Sequence, residues 1–544
     1  MPSLPSIISQ RIADVAGIDP ELRPATKPQF GHFQSNVALR LAKAEGRSPR
    51  EVAQSIVERL DLGDLCEPLE IAGPGFINIR LSSEVLARAA SELLADPHIG
   101  IVQVESPRTV VIDYSAPNVA KQMHVGHLRT TIIGDCFNRV LRAQGHRVIA
   151  QNHIGDWGTQ FGMLVEQVLV EDLDVGTLDL PAAEALYKRA NAHFQADPAF
   201  ADAARLRVVA LQSGDQRTHA IWRQLIDVSM AGFNQTYARL HVLLSDDDIA
   251  GESSYNDDLP VIARDLEQRG IATIDDGALV VWVERFDAPL IVRKRDGGFG
   301  YACTDLAAMR RRVGQMHADR IIYVTDARQA GHFAQMFAVA RVAGYLPDGV
   351  EARHVGYGMV LGNDGKPFRT RDGSAATLTD LLDAAEQEAS PEIALAAIKY
   401  ADLSNGIQKD YVFDAERMVQ TTGDTGPYLQ YAHARINQIL RRAEAEQIGF
   451  GEVTVLGEPA EQGLALLLTR FGETVAEVAD TLQPHRLCGY LFELATAYST
   501  FYEQCPVLRS EGEVRASRLA LCAVTREVLA RGLDLLGIEA PERM

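Results

Sequence analysis

The chain has 544 residues, 47% of them apolar and 23% charged, and a formal net charge of −20. That length predicts roughly three to four domains of about 150 residues each, and the composition excludes wholesale disorder and fibrous repeats. The acidic balance excludes a protein that coats nucleic acid or DNA non-specifically, because phosphate contacts need Lys and Arg on the contacting face, while leaving room for a local basic face.

From Met1 to about residue 105 the pattern mixes helices and short strands and predicts a small N-terminal α/β module. Within it Ser48-Pro49-Arg50-Glu51 supplies an N-cap, a first-turn proline and a capping-box glutamate, with Val52, Ile56, Val57 and Leu60 following at helical spacing. The turn Gly73-Pro74-Gly75 leads into the alternating run Phe76 to Leu81. A domain boundary falls around Ser106-Pro107-Arg108.

Val110-Val111-Ile112 reads as a strand buried on both faces. A Pro/Asn turn, a helix from about His124 to Ala143, Gly145 and the strand Arg147-Val148-Ile149-Ala150 complete a βαβ unit with a right-handed, parallel crossover. Further strands are predicted at Arg320 to Val324 and His354 to Val360, around a helix carrying Phe333, Met336, Phe337 and Ala340. The assembly is a Rossmann-type catalytic domain, a parallel doubly wound sheet over 106–405, split by an insertion at about 165–290. Over 406–544, Leu464, Leu467, Leu468, Phe471, Val475, Val478 and Leu482 repeat at helical spacing before Pro484, predicting an all-α domain.

The longest apolar run is Leu464 to Leu468, and the opening stretch has no basic segment followed by an apolar core, so neither a membrane span nor a signal peptide is expected. The six cysteines contain no C-x-x-C pair, so no structural zinc and no disulfide framework are expected, and a reducing cytoplasm fits.

The stretch Asp113-Tyr114-Ser115-Ala116-Pro117-Asn118-Val119-Ala120-Lys121-Gln122-Met123-His124-Val125-Gly126-His127 lies where the first strand of the unit turns into its helix. In such sheets ligands bind beyond the strands' carboxyl ends. Two histidines spaced i, i+3 at a helix start both face a bound triphosphate, their ring N–H donors adding to the helix N-terminal field, and Gly126 lets a base approach the backbone. His-x-Gly-His alone is equally a pair of exposed caps; its strand-turn-helix setting favours phosphate binding.

PNVAKQMHVGHLRTTIIGD followed by NHIGDWGTQFG resembles the ATP-site signature of the arginyl-tRNA synthetases, a class I family, and further segments from residue 30 to the C-terminus resemble the same family. The resemblance implies activation of L-arginine with ATP and transfer to the terminal adenosine of the arginine tRNA, with bound tRNA required before activation. It makes His124 and His127 the catalytic pair at the α-phosphoryl group, adds Pro117 and Gly126 to the ATP contacts, and brings Mg²⁺ with the phosphates. A cytoplasmic monomer is expected, with partners tRNA, L-arginine and ATP, and neither membrane nor DNA.

A guanidinium substrate calls for bidentate carboxylate recognition. Asp113 closes the first strand, and Tyr301 and Asp305 lie four apart at a helix start, hence on one face. The resemblance places all three, with Ser115, at the arginine site, gives Asn118 the α-amino or carboxylate end, and lines the pocket with Gln329. A strand-end cap, a core aromatic and a solvated acid are the competing readings of Asp113, Tyr301 and Asp305.

The family's mobile Lys-Met-Ser-Lys-Ser loop corresponds to Gly362–Gly373, a degenerate match with Thr370 where the second lysine falls. It still offers Lys366, Arg369 and Arg371 for charge neutralisation; a solvated basic hairpin is the bland reading. In a subset of the family lacking that lysine, the residue matching Lys121 takes over, which makes Lys121 a phosphate contact. Phe33, Gln34 and Asn36 in Phe30-Gly31-His32-Phe33-Gln34-Ser35-Asn36 match the family's tRNA-elbow contacts, and Tyr428, Tyr431 and Arg435 its anticodon domain; core packing is the competing fate of the aromatics. A tRNA-independent His-x-Gly-His nucleotidyl transferase and a non-catalytic tRNA-binding paralogue are the alternative functions.

Overall fold

Ser48 and Glu51 exchange hydrogen bonds, each side chain accepting from the other's backbone N–H at 3.3 Å, and this capping box starts the helix Pro49–Val57 as its sequence predicts. A computed structural model describes residues 3–369 and 376–544. In the N-terminal module that helix, with Leu4–Ala16, Val37–Glu45 and Ser83–Ala95, flanks an antiparallel sheet ordered Arg23–Pro24, Phe33–Ser35, Phe76–Ile79, Glu70–Ala72. Gly75 has φ +147°, and a Cβ there would lie 2.7 Å from the Pro49 carbonyl oxygen, so the turn admits only glycine.

The central sheet has four parallel strands: β1 (Thr109–Asp113), β2 (Arg147–Gln151), β3 (Arg320–Asp326) and β4 (Glu351–Tyr357), in the order β4-β3-β1-β2. Val110, Val111 and Ile112 are buried, as a β-branched run covered on both faces should be. Helix α1 (Val125–Ala143) makes the crossover to β2, after which the chain returns to the other side of β1 to lay down β3. The order therefore reverses between β1 and β3, and the crevice opens at the ends carrying Asp113 and Asp326.

Between β2 and the helix α2 (Tyr301–Gly314) the chain folds into the long helices Thr159–Glu171, Leu180–Ala196, Pro198–Gln212 and Gln216–Arg239, then the helix Leu259–Gln268 and a small antiparallel sheet, Thr273–Asp275, Ala278–Val281 and Leu290–Arg293. Helix α3 (Ala330–Val342) follows β3. The strand expected from His354 to Val360 instead spans Glu351–Tyr357, and Val360–Leu361 pairs separately with Tyr411–Val412. Gly358 marks the break: a Cβ there would sit 2.7 Å from the Lys409 backbone, where the chain is drawn away from the sheet.

The C-terminal domain is helical, with α4 (Gly426–Ala445), α5 (His485–Gln504) and α6 (Gly512–Leu535) as its long members. The run at helical spacing before Pro484 forms two helices, Pro459–Leu468 and Phe471–Thr481, and Leu464, Leu468, Phe471, Val475 and Val478 are fully buried. This domain packs on α1. Lys399 donates to the Gly537 carbonyl at 2.7 Å, and burial pushes its ammonium down to about 8. The buried pair Arg129–Asp402, at 3.2 Å, ties α1 to the helix Pro391–Leu403. All six cysteines are free and buried, and among the described residues no helix is long and apolar enough to cross a membrane.

Candidate active site

The loop from β1 to α1 holds three non-glycine residues in the left-handed region, Ser115 (φ 73°), Ala116 (φ 48°) and Ala120 (φ 58°). Each costs about 1 kcal/mol or more, so the surroundings must over-determine the path. They do: Ser115 N–H donates to Thr130 Oγ1 at 3.0 Å, Ala116 N–H to Asn152 Oδ1 at 3.1 Å, and Ala120 N–H to Ser229 Oγ at 2.9 Å. The Ser115 hydroxyl lies 2.7 Å from that of Tyr237, which also accepts from Asn152. Asn118 crosses Gly155 so closely that a Cβ on Gly155 would meet its Oδ1 at 2.5 Å.

His124 is the N-cap of α1, and its Nδ1 accepts from Gly126 N–H at 2.9 Å. His127 Nδ1 accepts from His124 N–H at 3.0 Å, and the ring centroids are 3.9 Å apart. Since both Nδ1 atoms accept, both protons sit on Nε2. The capping box thus satisfies two orphan helix donors and fixes the tautomer of each ring. Burial lowers the His124 imidazole, assisted by Arg328 and opposed by Asp326, and burial with His124 alongside lowers His127 to about 3. Two neutral N–H donors therefore stand at the positive end of a long helix. Gly126 is needed for a reason beyond access to the backbone: a Cβ there would lie 2.7 Å from the His124 ring.

After the basic loop the chain rejoins the body beside His124. Gly362 N–H donates to the Lys366 carbonyl at 2.8 Å, Phe368 packs edge-on against Phe413 at 5.1 Å, and Leu378 N–H donates to the Met123 carbonyl at 2.8 Å beside the His124–Thr377 bridge. Lys366 and Arg369 are exposed. Thr370 and Arg371 lie outside the described residues. The Lys121 ammonium stands 4.3 Å over the Tyr187 ring of the insertion.

Opposite β2, the segment Asp248–Glu252 runs beside Asn152–Ile154, with Ala250 N–H donating to the Asn152 carbonyl at 3.0 Å and Glu252 N–H to Ile154 at 3.1 Å. Glu252 is pushed up to about 7 by burial and by the charges of Asp156 and Asp305. Asp305 meets His332 Nε2 at 2.6 Å, a contact that raises the histidine. Tyr301, one turn before Asp305 on α2, is 77% exposed, and Gln329 is exposed at the N-cap of α3. Asp113 is buried, and its Oδ2 accepts from Arg312 Nη2 at 2.7 Å. Glu252, Asp156 and Asp305 thus form one carboxylate-rich wall.

Three family models match the chain: tRNA synthetases class I (R), catalytic domain, over residues 89–415; DALR anticodon binding domain over 429–544; and Arginyl tRNA synthetase N terminal domain over 3–81. The arginine-tRNA ligase of Cutibacterium acnes is 68% identical over 556 residues, with 100% of each chain covered. The chain belongs to the class I arginyl-tRNA synthetase family. It superposes on the arginyl-tRNA synthetase of Plasmodium falciparum with a TM-score of 0.83 at 26% identity, covering 99% of this chain and 98% of that one. For the arginyl-tRNA synthetase of Thermus thermophilus the TM-score is 0.81 at 26% identity, with 99% and 100% covered. The expected fold, a Rossmann-type domain between an N-terminal α/β module and an all-α domain, is the arginyl-tRNA synthetase fold.

Set in that fold, the sequence candidates fare unevenly. Asp113 ends β1, Ser115 and Asn118 lie in the loop that follows it, and His124 and His127 begin α1. Only 5% of Phe33 is exposed, in a core with Ile8, Ile12, Val37 and Ile77, which favours the packing reading of this residue. Gln34 donates to Asn78 at 2.7 Å and Asn36 to Glu21 at 3.1 Å, both half-buried. On α4, Tyr428 turns inward, 5.7 Å from Phe492, while Tyr431 is 46% exposed and the Arg435 guanidinium lies 4.0 Å over the Tyr502 ring. Residues not singled out from the sequence but present at the crevice are Asn152, Tyr237, Glu252, Arg312 and His332. The spacing of Arg312, seven after Asp305 and so on the same helical face, was the one available signal; Glu252 reaches the site through a long insertion and had none.

Proposed function

We propose that this chain activates L-arginine with ATP and transfers the arginyl group to the terminal adenosine of the arginine tRNA. The observation that carries the reading is the pair of neutral Nε2–H donors at the start of α1 beside the wall of Asp113, Glu252 and Asp305. In activation the arginine carboxylate oxygen attacks the α-phosphorus, the bond to the bridging oxygen breaks, and pyrophosphate leaves with the electron pair. His124 and His127 donate hydrogen bonds to oxygens on which charge grows, without giving up a proton; positioned donors of this kind lower a barrier by roughly 3–4 kcal/mol. Pro117 and Gly126 shape the nucleotide side, Lys366, Arg369 and Arg371 neutralise the departing pyrophosphate, and Lys121 moves from Tyr187 to the phosphates.

On the amino-acid side Tyr301, Asp305 and Asp113 receive the guanidinium, Ser115 and Asn118 the α-amino and carboxylate end, and Gln329 closes the pocket. Lysine and citrulline are rejected because carboxylates left unpaired cost several kcal/mol. Mg²⁺ accompanies the triphosphate, where it would offset phosphate charge. Residues 1–105 meet the tRNA elbow, through Gln34 and Asn36, 106–405 perform the chemistry, and 406–544 read the anticodon through Tyr431 and Arg435 with Tyr428 supporting the helix. The chain works in the cytoplasm as a monomer. ATP–pyrophosphate exchange tested with each of the twenty amino acids, with and without arginine tRNA, is expected to respond to arginine alone and only when tRNA is present; equal exchange with lysine would sink the reading.

A further inference from the structure

Arg312 is a fully buried guanidinium in the floor of the crevice. It lies on α2 seven residues after Asp305, on the face that carries Tyr301 and Asp305. Its Nη2 donates to Asp113 Oδ2 at 2.7 Å, its Nε donates to Gln151 Oε1 at 2.5 Å, and its plane sits 4.9 Å from the ring centre of Tyr323. These three partners are neighbours in register: Tyr323 on β3 pairs with Asp113 on β1, which pairs with Gln151 on β2. One planar cation therefore lies across one row of three adjacent strands, the row that ends β1 and β2, at the point where the strand order reverses.

Among the described residues no hydrogen bond reaches Asp113 Oδ1. The carboxylate is thus held by one oxygen and offered by the other. We infer that Arg312 is a positioning residue for arginine recognition: it fixes the plane of the Asp113 carboxylate so that Oδ1 alone meets the substrate guanidinium, leaving the second contact to Asp305. The inference rests on the reading of this crevice as the arginine pocket. It follows that Asp113→Asn is a poor probe, because it strands Arg312 as an unpaired buried charge. Perturbing the tether is cleaner. Arg312→Gln removes fork and charge, Arg312→Lys keeps the charge but cannot bond Asp113 and Gln151 in one plane, and Gln151→Met keeps the ion pair while removing the second tether.

The test is tRNA-dependent ATP–pyrophosphate exchange on the full chain, with active sites titrated and KM measured separately for arginine and ATP. Expected are rises in the arginine KM of about 30-fold or more for Arg312→Gln, about 5–10-fold for Arg312→Lys and about 3–10-fold for Gln151→Met, with the ATP KM within about twofold throughout. A scaffold role would reduce the titrated active fraction and leave the arginine KM unchanged, and that result overturns the inference. If Arg312→Gln does not fold, Gln151→Met decides alone: an unaltered arginine KM overturns it. Asp305→Asn is run alongside. If it raises the arginine KM while the tether variants do not, positioning by Arg312 fails and the pocket stands; if Asp305→Asn also leaves it unchanged, the pocket reading and the inference fall together.

Discussion

His124 and His127 lie within one helical turn, and the backbone bonds that orient both rings come from His124 and Gly126 themselves. The carboxylate wall is assembled otherwise: Asp113 ends β1, Glu252 arrives on the insertion, Asp305 opens α2, and their partners His332 and Arg312 come from α3 and α2. A locally built group can be altered with little effect on side chains from other elements. A wall drawn from several elements transmits each change to neighbouring charges, so affinity, stability and pH dependence all move with it.

The sharpest way to break that contrast is at the rings. His124→Ala and His127→Ala are each expected to lower the exchange kcat on the order of 10²–10³-fold, as loss of one preorganised donor does, with the arginine KM within about threefold. Steady-state exchange kinetics check this; a parallel collapse of arginine affinity would show that the two sides are not separable. Next in size, Asp305→Asn removes a charged acceptor of the wall and is expected to raise the arginine KM about 100-fold while the ATP KM stays near its starting value.

The same contrast explains what could be read from the sequence. The strand Val110 to Ile112, the Ser48 capping box and the histidine motif are short-range patterns in which neighbours in sequence are neighbours in space, and all three take the expected conformation. What was less legible has tertiary causes. Phe33 stands in a segment resembling a recognition motif, yet it is largely buried in the core of the N-terminal module. Arg312 and Glu252 acquire meaning only once β1, β2 and the insertion are side by side.

Protonation sharpens the comparison, because the two sides respond to pH in opposite senses. His127 sits at about 3 against an ordinary 6.5, so the unfolded chain binds its proton first; stability present above about pH 6.5 is lost as pH falls toward 3. Glu252 sits at about 7 against an ordinary 4.5, so the folded chain keeps its proton longer; stability present below pH 4.5 is lost as pH rises through 7. Glu252→Gln is therefore expected to be nearly neutral at pH 4.5 and to gain on the order of 1–3 kcal/mol relative to the parent at pH 8. Denaturant titrations at the two pH values measure it, and an equal difference at both would remove the charge argument.

The smallest expected effect tests whether the contrast extends to tRNA. Tyr428, Tyr431 and Arg435 follow one another along α4, yet only Tyr431 leaves much of its ring in solvent, while Tyr428 packs near Phe492 with its hydroxyl 3.4 Å from Ser499. A base stacked on Tyr431 contributes about 1–3 kcal/mol, so Tyr431→Ala should raise the tRNA KM by about 5-fold to 100-fold with thermal stability nearly unchanged. Tyr428→Phe deletes one long hydrogen bond and keeps the ring, so the tRNA KM should stay within about twofold. Aminoacylation measured against tRNA concentration separates the two. If Tyr428→Phe were the damaging change, recognition would run through the packed interior of the helical domain, and exposure would be the wrong guide to its contacts.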